Sequence, residues 1–211
     1  SSEQDVWERL DGIIDRSYYF KNGKALKISV TFIDSGGHYT QEVYEECAKR
    51  LNKRVFAIKG KGGEGIPFTG PPSKVKIVKD NKVIGKAWLY ILGVDAGKER
   101  IMSGLKVQSP GARYSHFPSN EGKGYDNLYF SGLLSEKLTY ENGKWRWKKL
   151  PGHNRNEALD CRDYANAAFR VVNPNFDAIE GKLRGSQETK TQVKLKKRQQ
   201  RRRSDLYRDD W

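Results

Sequence analysis

Two cysteines and three histidines among 211 residues leave little room for two common kinds of site. Cys47 and Cys161 are too few for a disulfide framework or a zinc cluster. Each falls on the apolar side of an expected helix, so two buried thiols are expected. His38, His116 and His153 share no close spacing, which argues against a histidine metal cluster. No apolar run approaches the ~18 residues of a membrane span. The acidic, polar start carries no signal-peptide pattern, and an intracellular, reducing setting is expected. The loop 59–73, KGKGGEGIPFTGPPS, has glycines but no Gly-Lys-Ser/Thr at the required distance. A phosphate-binding loop is therefore excluded there, and a basic connector able to touch a polyanion's backbone is left.

Positive charge is what the chain has in excess. Forty Lys and Arg against 26 Asp and Glu give +14. Half of that excess lies in residues 182–211, and the remaining 181 residues also net +7. A polyanionic partner is favoured, nucleic acid or an acidic surface. With 36% apolar and 11% aromatic residues, the chain has material for one substantial core. Three segments are expected: a helix and linker over 1–24, a folded α/β body over 25–180, and a basic tail over 181–211. In the tail, the run KLKKRQQRRR is a charge block. The Leu206, Tyr207 and Trp211 that follow suit a docking peptide, and a solvated tail is the equal alternative.

The body reads as strands alternating with helices. Residues 27–33 form a strand that ends on Asp34 and turns through Gly36 and Gly37, which relax the backbone. A helix over 40–51 and a strand over 55–58 complete a strand–helix–strand unit, which favours parallel pairing. Strands over 75–78 and from 83 onward join at a polar turn. The second runs through AWLYILGV and meets Asp95, before a helix over 96–107. A short helix is expected over 127–134. Residues 137–148 are a hairpin turning at Asn142-Gly143, with Trp145 and Trp147 on one face. A helix over 154–171 opens with the capping-box spacing of Asn154 and Glu157. It turns Asp160, Cys161, Tyr164, Ala165, Ala167 and Ala168 to its packed side.

Two strand-end aspartates and one on the inner side of a late helix can converge on divalent cations. Carboxylate oxygens suit Mg²⁺ or Mn²⁺, and two such ions can drive phosphodiester hydrolysis. Asp34, Asp95 and Asp160 are thus the candidate metal-binding and catalytic residues. Each has a plainer alternative: a turn residue for Asp34, a helix cap for Asp95, a helix surface position for Asp160. Glu157, His38, His153 and Asp163 are candidates for a supporting role. For Glu157 a cap partner is the stronger reading, and for Asp163 a solvated one. Lys59, Lys61, Lys98, Arg100 and Arg155 are candidates for phosphate contacts.

The segments IDSGGHYTQEVYEECAKR, VFAIKG, LGVDAGKERI, HFP, YF with SEK nearby, and RNEALDCRDYA, in this order, resemble the nuclease domain of large terminase subunits from lambda-like tailed phages. The resemblance spans roughly residues 7–175. It implies an RNase H-like fold with a mixed central sheet flanked by helices, and endonuclease cleavage of concatemeric double-stranded DNA during genome packaging in the host cytoplasm. The family's metal-binding acids fall on Asp34, Asp95 and Asp160, with Glu99 as the fallback for the second. The implied partners are duplex DNA, a packaging ATPase domain that this chain does not contain, a small terminase subunit, and the portal protein through the tail. Two departures accompany it. No phosphate-binding loop is present, and a helix follows Asp34 directly where an RNase H order runs through hairpin strands first. A non-catalytic DNA-binding or docking domain and another RNase H-like nuclease, such as a resolvase, are the alternative functions.

Overall fold

The computed structural model describes residues 3–20, 23–119, 122–153 and 155–181. The expected tail lies outside them from residue 182 onward. The first element is helix α1 (Glu3–Ile14), followed by a small antiparallel pair, β1 (Ser17–Tyr19) with β2 (Ala25–Lys27). The strand expected over 27–33 is divided. Its first residue closes β2, and a new strand, β3, runs Thr31–Asp34.

Helix α2 (Thr40–Lys49) follows, then a short 3-10 turn and β4 (Val55–Lys61). Thus β4 takes in Lys59 and Lys61, which composition assigns to the loop. Strands β5 (Ser73–Lys79) and β6 (Lys82–Gly93) meet at Asp80 and Asn81, both with positive φ. These two short polar residues tolerate the left-handed region that such a tight turn demands. The strand order is β3-β4-β6-β5. The first three are parallel and β5 is antiparallel to β6, so the sheet is mixed. Parallel neighbours require a crossover, and α2 supplies the one between β3 and β4.

Alternation along the strands sorts side chains onto two faces. Val55, Ala57, Ala87 and Leu89 pack with Val43, Tyr44 and Cys47 of α2 and with Ile14 of α1. Ile58, Tyr90 and Leu92 point the other way, onto Ala167 and Tyr164 of helix α5 (Glu157–Val172). Full burial of Ile58 and Leu92 contributes roughly 1.5–3 kcal/mol each. Helix α1 is fastened to α2 by polar bonds too. Trp7 Nε1 donates to Glu42 at 2.8 Å, and Arg50 reaches Asp11 at 2.8 Å.

Helices α3 (Val94–Leu105) and α4 (Asn127–Leu133) build a third cluster with α5, around Ile101, Leu133 and Leu159. Between α4 and α5 stands the hairpin β7 (Glu136–Glu141) and β8 (Lys144–Lys149), which turns at Asn142 and Gly143. Asn173 begins a second unit, of which residues 176–181 form a short helix with Asn175 bonding the Ala178 N–H.

Three expectations are corrected here. The last helix begins at Glu157 and not at 154, so Glu157 lies in its first turn; Asn154, the other half of the expected box, is outside the described residues. Its buried stripe is Leu159, Asp163 and Ala167, spaced by four, with Ala168 beside it. Cys161 and Ala165 consequently face outward, and Cys161 is exposed. Cys47 alone is a core thiol, pushed up to about 12 by burial.

Candidate active site

The parallel strands all finish at one edge of the sheet, and their C-terminal residues meet the inner side of α5 there. Asp34 ends β3 beside Ile58 of β4. One of its oxygens accepts the Gly36 N–H at 2.8 Å, the turn role open to any such aspartate. The other accepts from the Tyr164 hydroxyl at 3.2 Å, which no local turn explains. Burial, then the charges of Asp34 and Asp160, push the Tyr164 phenol far upward, so it is a fixed donor. Gly36 and Gly37 do not adopt positive φ. What Gly36 supplies is room, since a Cβ there would stand 3.1 Å from the Asp34 carboxylate. Ser35, fully buried, locks the turn by donating both its N–H and its hydroxyl to the Ile58 carbonyl.

Asp160 projects from the first turns of α5 into a buried polar network. Lys98 of α3 places its ammonium 2.8 Å from Glu136 and 3.1 Å from Asp160. Asn156 bridges the same two carboxylates from the start of α5, at 2.6 and 2.8 Å. Lys98 and Glu136 are both buried. Burial pulls the Lys98 ammonium down, but Glu136 and Asp160 outweigh it and hold it above its ordinary range. Asp160 is raised, first by burial and then by the charges of Glu136 and Asp34, with Lys98 acting against them. Asp34 and Asp160 therefore share one electrostatic field, although 126 positions separate them in the chain.

Asp163, one turn further along α5, has no exposed surface, and neither of its oxygens has a hydrogen-bond partner. It fits only because residue 97 is glycine: a Cβ there would lie 1.7 Å from its Oδ1. Burial, and then the charges of Asp160 and Asp95 against Lys98, raise it to about 7. Asp95 itself lies inside α3 with Gly93 as the cap residue, so it does not fill the cap position. Its Oδ2 accepts the Gly63 N–H at 2.8 Å, tying the glycine loop to α3.

The family model for the endonuclease domain of the terminase large subunit gpA matches residues 1–183. The chain belongs to this family. It is 33% identical over 176 positions to the terminase large subunit of Escherichia phage lambda, covering 77% of this chain and 25% of that protein. Against the terminase large subunit of Enterobacteria phage P21 it is 29% identical over 178 positions, covering 80% and 26%. The chain thus spans about a quarter of the length of these relatives. No solved structure matches it.

Other candidate positions of this terminase endonuclease domain fall in different places. Lys98, expected at a phosphate, spends its charge inside the acidic network. Arg155 and Glu157 are exposed and pair with each other at 3.2 Å. His153 lies 3.4 Å from the Ser131 hydroxyl, and His38 is exposed beyond Asp34. Lys59 reaches over the Tyr44 ring, while Lys61 and Arg100 are exposed. Glu136, Asn156 and Tyr164 complete the network without having been singled out for it. For Asp163 the signal was present: it stands at four-residue spacing between the apolar Leu159 and Ala167, the pattern of one helix face.

A divalent cation fits the donor chemistry of this edge. All the acids offer hard oxygens, and Asp163 is a buried carboxylate with no protein partner to balance it. Among the described residues, however, no three of His, Cys, Asp or Glu already stand in a cation-holding arrangement. Lys98 is seated between two of the acids, Glu136 and Asp160.

Proposed function

We propose that this domain is a divalent-metal-dependent endonuclease that cuts concatemeric double-stranded viral DNA during genome packaging. The observation that carries the reading is the set of acids along the inner side of α5: Asp34 bonded to Tyr164, Asp160 held by Lys98, and Asp163 buried against Gly97 without a partner. In this reading Asp34, Asp95 and Asp160 hold Mg²⁺ or Mn²⁺, two ions in all, as an RNase H-like nuclease does. Bound there, the ions would activate water and offset charge on the leaving oxygen. The chain's own part is positional. Tyr164 fixes one oxygen of Asp34, Asn156 and Lys98 orient Asp160, and Gly63 fixes Asp95. Lys61 and Arg100, both exposed, are placed to draw in backbone phosphates, which gives little sequence preference.

The partners in this proposal are duplex DNA, a packaging ATPase segment, a small terminase subunit, and a portal protein met by residues 182–211. The test is plasmid cleavage with Mg²⁺ or Mn²⁺, with and without chelator. Wild type should nick and linearise only with metal, and Asp34→Ala should be inactive yet folded. Metal-independent or absent cleavage with retained DNA binding would leave a docking domain instead. Preference for branched over linear duplexes would point to a resolvase.

A further inference from the structure

We propose that the β7–β8 hairpin is a base-stacking platform, which takes an unpaired nucleotide of the substrate beside Asp95. This rests on the reading of the domain as a DNA enzyme and adds what part of the DNA it grips. The register pairs Leu138 with Trp147 and Tyr140 with Trp145, so four large side chains share one face of a two-stranded ribbon. That face is not core. Tyr140 is 60% exposed, Trp145 56% and Leu138 38%, and the Tyr140 and Trp145 rings lie 5.2 Å apart.

The face borders two adjoining hollows of about 540 and about 400 Å³. Both are lined by Trp145 and Trp147 on one side, and by Gly63, Glu64 and Asp95 on the other. An occupant of the hollows therefore touches Trp145, Trp147 and Asp95 together, and Tyr140 extends the same face beside Trp145, outside the hollows. Lys144 and Arg146 line the larger hollow, and the hairpin as a whole exposes Lys137, Lys144, Arg146, Lys148 and Lys149. Of its acids, Glu136 is buried against Lys98 and Glu141 offsets Lys148, so Lys137, Lys144 and Arg146 carry the hairpin's positive surplus, and the last two face Glu64 and Asp95 across the larger hollow.

Exposed rings set among cations match a nucleic-acid strand, whose flat bases stack and whose phosphates attract Lys and Arg. A closed duplex offers only base edges and backbone, because its base faces are already stacked. The occupant that uses an indole and a phenol side by side is a nucleotide outside the helix, at a frayed end, a mismatch or a single strand. Stacking of this kind is indifferent to base identity, so the platform selects open structure and not sequence.

The test is fluorescence anisotropy in chelator, with three labelled probes: a single strand, a blunt duplex of the same sequence, and that duplex carrying unpaired bases. Trp145→Ala should bind the single strand and the unpaired duplex about tenfold more weakly, and the blunt duplex within about twofold of wild type. Trp145→Phe should keep most of the affinity while losing much of the indole quenching that the single strand causes in wild type. Equal loss on all probes, no loss on any, or failure of wild type to bind the single strand would overturn the platform. Near-UV circular dichroism checks the fold, and Tyr140→Ala gives the same reading from the other ring. Plasmid cleavage by wild type is measured alongside. Selective binding without cleavage would sink the nuclease reading alone. Cleavage with no effect of Trp145→Ala would sink the platform alone.

Discussion

At Gly97 a single methyl group decides whether α3 and α5 can meet. Gly97→Ala would place a Cβ 1.7 Å from Asp163 Oδ1 and 2.6 Å from a Phe68 ring carbon. Overpacking of this order costs roughly 1–3 kcal/mol, and the midpoint of a denaturant melt should fall accordingly. Asp163 carries a pH signature of its own. Its carboxyl is raised from 3.8 to about 7 in the fold. Between those values the folded chain holds a proton that the unfolded chain has released. Its contribution to stability is complete below the unfolded value and declines as pH rises through about 7. The gap corresponds to at most about 4 kcal/mol. In chelator, wild type should melt at lower temperature at pH 8 than at pH 5, and Asp163→Asn should flatten that difference. A melt that rises with pH over this range in wild type alone would contradict the assignment. Asp34 and Asp160 stand out in the sequence because one closes an apolar strand and the other lies among the small apolar residues of a helix. Asp163 was read as solvated, and the helix proved to be turned so that residue 163 lies innermost.

Among elements, the joint between α3, β7 and α5 rests on Lys98, Glu136 and Asn156. Removing one member of a buried pair strands the other charge, at about 3–5 kcal/mol. Lys98→Met should therefore destabilise strongly, and Lys98→Met with Glu136→Leu should recover much of the loss, as a double-mutant cycle of thermal melts would show. If the single variant melts like wild type, the pair is not the joint described here. The elements themselves were largely written in local pattern: the alternation of β3, the helical spacing of α2, the long run of β6, and the Asn-Gly hairpin all carry their own periods. Boundaries moved where tertiary contact extended an element. β4 runs on to Lys61 because β6 continues to pair with it as far as Gly93. α5 starts at Glu157, just after Asn156, whose side chain donates to Glu136 and Asp160.

At the scale of the whole molecule, net charge sets how the domain meets a polyanion. Counterion release makes duplex binding fall steeply with salt, with a slope that tracks the phosphates neutralised. Half of the +14 lies beyond residue 181. A chain ending at Glu180 should keep its metal-dependent cleavage, bind blunt duplex more weakly, and show a shallower salt slope in anisotropy titrations. Loss of cleavage with the tail would assign those residues to the site itself. No described helix is long and apolar enough to cross a membrane.

The sequence alone determined the charge, the strand and helix periods, and that Asp34 closes a strand, because each of these is set by neighbours within a few residues. Only the tertiary structure decided that Tyr164 answers to Asp34, that Lys98 is a buried counterion and not a phosphate contact, that Asp163 is sealed against Gly97, and that the hairpin aromatics look toward Asp95. Those outcomes depend on which way helices and hairpins are rotated when they dock. Docking is settled by burial and charge balance summed over elements far apart in the chain, which no local pattern contains.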